Sequence, residues 1–225
     1  MRIVIINGSP RINGATASIL HGMEKALILR GADVECYNLG SLEMNQCKGC
    51  CACYRTGACF MDDDAEKISR AIAEAEGLIL GSPTYASNVS GLMKLLIDRG
   101  HFVIEQLLKG KYCVTVATGE NYGSRDAGKV LDNLVLYSGG QLSDRVVINV
   151  PFNSVRTESP IGSSSASKLY HDISLQRKHP LQILLNKIIF TFGIKPFVIK
   201  KGEQYRGVTD RWREAGIVNV YMKDS

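Results

Sequence analysis

Five of the seven cysteines in this 225-residue chain fall between positions 47 and 59. The run reads Cys47-Lys-Gly-Cys50-Cys51-Ala-Cys53, then Tyr-Arg-Thr-Gly-Ala and Cys59. Cys47, Cys50, Cys53 and Cys59 give a C-x2-C-x2-C-x5-C spacing, compact enough for one loop to wrap a cubane cluster with four thiolates. Gly49 and Gly57 would let backbone amides turn inward and hydrogen-bond the sulfurs. Zinc also accepts four thiolates, and free thiols or a disulfide formed during purification are the plainest readings; the residues alone leave all of these open. A disulfide framework suits neither the crowding into one loop nor a reducing compartment. The pattern therefore points to metal or redox chemistry. Cys36 and Cys113 lie on predicted strands and are expected in the core.

A second group of chemistry-bearing residues opens the chain. Ile3 to Ile6 form a β-branched run, and a loop rich in Gly, Ser, Asn and Thr follows, reaching a helix that begins near Gly14. Backbone N–H groups, the hydroxyls of Ser9 and Thr16 and the Arg11 guanidinium then meet at the positive end of a helix dipole, which suits a phosphate dianion. Asn13 and Ala17 belong to the same loop and first turn. The spacing is neither G-x-G-x-x-G nor a Walker loop. Two further loops carry polar and aromatic groups: Pro83-Thr84-Tyr85 through Asn88, and Thr118-Gly119-Glu120-Asn121-Tyr122-Gly123. His21, His101, His171 and His179 have no partner spacing that suggests a metal or a triad, so surface or helix-end roles are expected for each. Asp62-Asp63-Asp64 reads as helix capping rather than a cation site.

The elements that must position these loops follow from periodicity. After the first strand, Ala15 to Arg30 has Ile19, Leu20, Met23, Ala26 and Leu27 on one helical face, and Gly31 closes it. Strands are expected at 33–39, 77–82, 111–117 and 145–150. Helices are expected from Asp63, capped with Glu66 three residues on, to about 75; from Ser90 to about Gln106; and from 125 to 137. Alternating strands and helices with short connections imply an α/β fold, a doubly wound five-stranded parallel sheet over residues 1–150. Ligands in such a sheet sit beyond the carboxyl ends of the strands, where strand order reverses, and all three loops leave that edge. Residues 151–225 read as a largely helical C-terminal extension, packing on the core or on a partner subunit. In it, Gly162-Ser163-Ser164-Ser165 is expected to cap a helix through Arg177, which His179-Pro180 breaks. Leu181, Leu184, Leu185, Ile188, Ile189 and Phe192 then make one apolar face, ended by Gly193, in a segment expected to be too short for a bilayer and destined for core or subunit contact. A strand and a short helix around 210–215 are expected in the tail.

The composition is that of an ordinary soluble protein. A net charge of +5 and 45% hydrophobic residues allow a substantial core, and the scattered basic residues give nucleic-acid binding little support. No signal peptide or membrane span is read, so a cytoplasmic location without membrane contact is the expectation.

Taken together, Gly8-Ser9-Pro10-Arg11, Gly14-x-Thr16, Gly81-Ser82-Pro83-Thr84-Tyr85, Lys94 and Asp98-Arg99 make residues 1–150 resemble the flavodoxin-like FMN reductase families. Ala15 departs from the Asn those families often carry, removing one side-chain contact to the phosphate. The cysteine loop is similar to that of the iron–sulfur flavoprotein family. These resemblances imply an FMN site formed by Ser9, Arg11, Asn13, Thr16, Ala17, Pro83, Thr84, Tyr85, Asn88, Thr118, Gly119 and Tyr122. They also imply a [4Fe-4S] cluster on Cys47, Cys50, Cys53 and Cys59, with Cys51 a bystander. The implied activity is electron transfer between cluster and FMN in a flavin-dependent oxidoreductase, with no catalytic side chain, since the flavin carries the chemistry. NAD(P)H or ferredoxin would be the donor, a small molecule or protein the acceptor, and a homodimer or homotetramer the assembly. Two alternatives stand beside it: a cluster-free NAD(P)H-dependent FMN or quinone reductase, and a non-catalytic redox sensor.

Overall fold

The computed structural model describes residues 1–151 and 160–218. The β-branched run becomes β1 (Arg2–Asn7), followed by α1 (Ala15–Ile28) and β2 (Asp33–Asn38). The cysteine loop carries one short helix, α2 (Ala52–Thr56), and leads to α3 (Asp64–Glu74) and β3 (Gly77–Tyr85). A two-residue strand β4 (Asn88–Val89) folds back on the end of β3, and α4 (Gly91–Arg99) and α5 (Phe102–Glu105) follow. The remaining elements of the sheet domain are β5 (Tyr112–Gly119), α6 (Ser124–Tyr137) and β6 (Gln141–Asn149). The five long strands are parallel, in the order β2-β1-β3-β5-β6, with Ile3 opposite both Val34 and Gly77. This is the expected doubly wound sheet, and its order reverses between β1 and β3.

Apolar side chains cover both faces, as a parallel sheet requires. Val4, Ile6, Leu78 and Leu80 meet Ile68 and Ile72 of α3, Met93 and Leu96 of α4, and Leu131 and Val135 of α6. On the other face Ile3, Ile5, Ile79, Val114 and Val116 meet Ile19, Leu20, Met23 and Leu27 of α1. That second face is completed from the C-terminal extension. Helix α7 (Pro160–Ser174) lays Ala166, Leu169 and Ile173 on it.

Several expectations are corrected. Cys113 is buried as expected, but Cys36 is exposed on β2, at the edge of the sheet. The helix expected over 90–106 breaks at Gly100-His101: His101 takes φ 48°, and a Cβ at Gly100 would collide with the Phe102 ring. The Gly162 to Ser165 patch lies within α7, which starts two residues earlier at Pro160, a residue suited to a first helical turn. Gly162 is needed there for contact, since a Cβ would sit 2.7 Å from the Ile19 carbonyl of α1. Nor does Gly193 end the next helix: α8 (Pro180–Ile189) runs through a π turn at Phe190–Ile194 into α9 (Lys195–Lys200). The joined helix spans 21 residues at mean hydropathy 1.4, long and apolar enough to cross a membrane, contrary to the expected shortness.

Helix α8 is turned inside out. Leu181, Leu184, Leu185, Ile188 and Phe192 just beyond it are exposed, the first and last to 80%, whereas Asn186 is buried. Asn186 donates to Gln106 Oε1 and the Leu136 carbonyl, and Gln182 exchanges two hydrogen bonds with the Leu142 backbone. A core role for the leucine face is thereby excluded. The last described helix, α10 (Arg206–Glu214), is the short helix expected around 210–215, begun four residues earlier; the strand expected in the tail is not found among residues 197–218, and residues 219–225 lie outside the described ones. Its Trp212 is fully buried among Ile194, Val198 and Val208, with Nε1 donating to the Ile104 carbonyl at 3.0 Å.

The extension also grips the cysteine loop. Gly207 of α10 meets Gly57 so closely that a Cβ on Gly207 would collide with the Gly57 amide nitrogen. Gly207→Ala is therefore expected to destabilise the protein by about 1–3 kcal/mol, the range for overpacking a tight contact. Urea unfolding measures the loss, and faster limited proteolysis within 47–59 locates it.

Candidate functional site

The loop after β1 is pinned before any ligand arrives. Gly8 donates its N–H to the Gly81 carbonyl at 2.7 Å, and its own carbonyl accepts the Ser90 hydroxyl at 2.6 Å. Ser90 Oγ also caps α4 by accepting from Met93 N, and Ser90 N–H donates to Ser82 Oγ at 2.9 Å. Asn7 completes the root: its amide bridges to Asn38 Oδ1 while its own Oδ1 accepts the Ser9 N–H. The Thr16 and Thr118 hydroxyls, buried and 2.7 Å apart, tie the first loop to the third. On the far side Ser124 Oγ donates to Asn149 Oδ1, whose amide donates to the Asn121 carbonyl.

Between these loops lies a cleft of about 800 Å³, within the range of small-molecule sites. Arg11, Asn13, Pro83, Thr84, Tyr85, Thr118, Gly119 and Tyr122 line it. The other four residues expected at the site stand elsewhere. Ser9 is buried with its hydroxyl engaged by the Arg11 backbone, and Thr16 is buried on Thr118. Ala17 is buried in the first turn of α1, and Asn88 turns its Oδ1 back to the Val89 N–H. Helix α1 opens at Gly14 with neither a side-chain cap nor an acidic residue in its first turn, so its positive end is left for an anion.

Two observations mark the cleft as built for a ligand. Thr84 Oγ1 is buried on its wall with no hydrogen-bond partner among the described residues, a costly arrangement unless a guest supplies one. Ala86 and Ser87 take left-handed φ values of 49° and 60°, strain of the kind that gathers at binding loops. Gly123 allows that loop in, since a Cβ there would lie 2.8 Å from Ser87 Cα. Asn7, Ser82 and Ser90 were not among the expected site residues. Ser90 was legible as a helix cap ahead of an apolar repeat; nothing in the spacing announced its bond to Gly8.

The cysteine loop leaves the same sheet edge on the far side of α4. Cys47, Cys50 and Cys51 are exposed, Cys59 is partly covered and Cys53 is buried within α2. Left-handed turns at Gly49, Cys51 and Gly57 curl the backbone, and the Gly49 N–H donates to Cys47 Sγ at 3.5 Å. Among the described residues, no three His, Cys, Asp or Glu side chains converge as a metal site. The donor set nevertheless fits a thiolate-held cluster in kind: four sulfurs in one loop, with N–H donors directed at two of them.

Arg99, at the end of α4, has a side chain only 1% exposed. It donates to both Asp63 oxygens at 2.7 and 2.9 Å, to the Asn45 carbonyl at 2.7 Å and to Cys59 Sγ at 3.6 Å. His101 has the helix-end place expected of it, at the start of α5, but is not a surface residue: its ring packs on Tyr54, and Nδ1 lies 3.3 Å from Glu105. Burial alone would lower its pKa, but contact with Cys53 and Glu105 outweighs this and holds it up to about 10. Glu105 in turn pairs with Arg211 of α10.

Comparison with known proteins agrees with this architecture. The family model described as NADPH-dependent FMN reductase matches residues 1–152. An iron-sulfur flavoprotein of Clostridioides difficile is 36% identical over 227 residues, covering 97% of this chain and 100% of its own. Among solved structures, an NADH:FMN oxidoreductase in its apo form superposes with a TM-score of 0.54 at 20% identity, covering 80% of this chain and 92% of that one. The two-electron-reduced flavodoxin of Megasphaera elsdenii gives a TM-score of 0.51 at 15% identity, over 75% and 98%. At these identities the two structures attest the fold.

Asp63 offers a pH test of the loop's anchor. Burial opposes its ionisation, but Arg99 and the N–H groups of Asn45 and Ala65 hold its pKa at about 2, below the ordinary 3.8. A carboxyl depressed on folding contributes stability above its unfolded value that is lost as pH falls through the folded one. Asp63→Asn should therefore cost roughly 2 kcal/mol or more at neutral pH. In urea titrations at a series of pH values, the gap from wild type should narrow between pH 4 and 2.

Proposed function

This chain belongs to the NADPH-dependent FMN reductase family, and from that membership we propose a flavin-dependent oxidoreductase that passes electrons between FMN and a [4Fe-4S] cluster. The observation that carries the flavin assignment is the three-loop cleft, with the unpartnered Thr84 hydroxyl on its wall and an uncapped helix N-terminus at one end. FMN, when bound, supplies hydride and single-electron chemistry. The chain's part is to hold it. Arg11 and the first N–H groups of α1 would take the phosphate dianion. Thr84 and the backbone of Thr118 and Gly119 would meet the polar edge of the ring, while Tyr85 and Tyr122 would limit water at the rim. No side-chain acid or base is required.

Cys47, Cys50, Cys53 and Cys59 would hold the cluster, which supplies one-electron transfer. The thiolate-only donor set, the donors to the sulfurs and the name of the full-length relative support this reading. A cluster-free NAD(P)H-dependent FMN or quinone reductase is the second reading, favoured by the four sulfurs lying apart. The family's description favours NADPH over ferredoxin as donor. A reducing, cytoplasmic setting suits seven free cysteines. The outward leucine face of α8 would be covered by a second copy, since Leu181, Leu184, Leu185, Ile188 and Phe192 follow the spacing of a helix-pairing seam.

Anaerobic reconstitution with FMN, iron and sulfide quantified together tests the main reading. All three should be bound, and Cys59→Ala should lose iron while keeping flavin. Wild-type protein that binds FMN without iron and is bleached rapidly by NADPH would establish the second reading instead. Arg11→Ala is expected to weaken FMN binding by at least tenfold, about 1.4 kcal/mol, in fluorescence titration. Leu184→Glu with Ile188→Glu should shift the protein to monomer in light scattering coupled to size exclusion.

A further inference from the structure

We infer that Arg99 is a positioning residue for the cysteine loop, one whose guanidinium also raises the reduction potential of the cluster held there. The inference rests on the cluster reading above and goes beyond it, since none of the sequence landmarks gives Arg99 a redox role.

The geometry is specific. The cysteine loop leaves the body of the protein near Asn45 and returns at Asp63, and Arg99 binds both roots, at the Asn45 carbonyl and across the Asp63 carboxylate. Asp63 closes the same junction by accepting the Asn45 N–H at 2.9 Å and the Ala65 N–H at 3.1 Å. From that fixed point the second Nη reaches Cys59 Sγ. A guanidinium presents five donors in a rigid fork; here one serves sulfur while others hold the loop shut. Its Nε lies buried without a hydrogen-bond partner among the described residues, so the fork is held there at some cost.

Donors to cluster sulfurs and positive charge nearby both favour the more negative, reduced cluster, and so raise its potential. Burial strengthens the effect, because water screens a cation with 1% side-chain exposure very little. Asp63 neutralises much of the charge, since the Nη that donates to Cys59 Sγ also donates to Asp63 Oδ1, so the effect rests on the N–H donor to sulfur rather than on net charge. Arg99 also ends the helix that begins at Ser90, the residue bound to the first flavin loop. Nine residues at 1.5 Å each make this a strut of about 13 Å between the two cofactor loops.

The test compares wild type with Arg99→Lys and with the double variant Arg99→Met, Asp63→Asn. The single variant keeps a cation beside Asp63 but loses the fork; the double variant removes both charges together, so no buried ion is orphaned if the single variant fails to fold. Each protein is reconstituted anaerobically, its FMN and iron are quantified, and the cluster's midpoint potential is read by EPR-monitored titration. The expected result is iron-loaded variants with the cluster potential shifted negative in both, since each loses the guanidinium donor to Cys59 Sγ, and an unchanged flavin potential. Iron-loaded wild type whose cluster potential is matched by both variants overturns this inference alone. Wild-type protein that takes up no iron and sulfide overturns the cluster reading and this inference with it.

Discussion

The bond from the Ser90 hydroxyl to the Gly8 carbonyl is the constraint on which the chemistry of this molecule depends. At the carboxyl edge of a parallel sheet, backbone groups leave the ladder and must find other partners. Gly8 finds both of its partners on the neighbouring segment, Gly81 for its N–H and Ser90 for its carbonyl. The loop after β1 and the start of α4 therefore move together or not at all. Because α4 ends in Arg99, that fixed origin also sets where the cysteine loop is anchored. Two regions that share no contact in sequence are placed by one short hydrogen bond and one helix length.

Electrostatics reinforce the same arrangement. The cleft offers an N-terminal helix end with no acidic residue in its first turn, and the cysteine loop meets the cations Arg99 and His101. Both regions thus favour negative charge, at a helix N-terminus in one case and at cysteine sulfurs in the other. The buried carboxylates of Asp63 and Glu105 beside the loop are paired, the first with Arg99 and the second with Arg211 and His101.

Much of this was legible in the chain before folding was considered. The runs Ile3 to Ile6 and Leu78 to Leu80, with helical repeats between them, were enough for the parallel sheet, because periodicity follows from burial alone. Eight of the twelve residues expected at the flavin site do line the cleft. The Ser9 and Thr16 hydroxyls serve the loops themselves, and composition cannot tell a loop's internal bonds from bonds offered to a guest. His101 escaped notice because its partners, Cys53 and Glu105, come together only when the 90–106 helix breaks at Gly100. The apolar repeat at 181–192 was correct as a helix and wrong as core. Periodicity reports that a face exists; the direction it points was decided by Gln182 and Asn186, which found backbone partners inside.

The contact of Gly207 with Gly57 has a bearing on the order of assembly. Domains condense from the N-terminus as the chain is synthesised, and the cysteine loop lies in the first third of this one. The helix that seats against it, Arg206–Glu214, is made long after the loop. Until α10 is made, Gly57 therefore lacks its neighbour beside a sheet that is already taking shape. The shape of the cysteine loop at that turn waits on a helix made after the whole sheet.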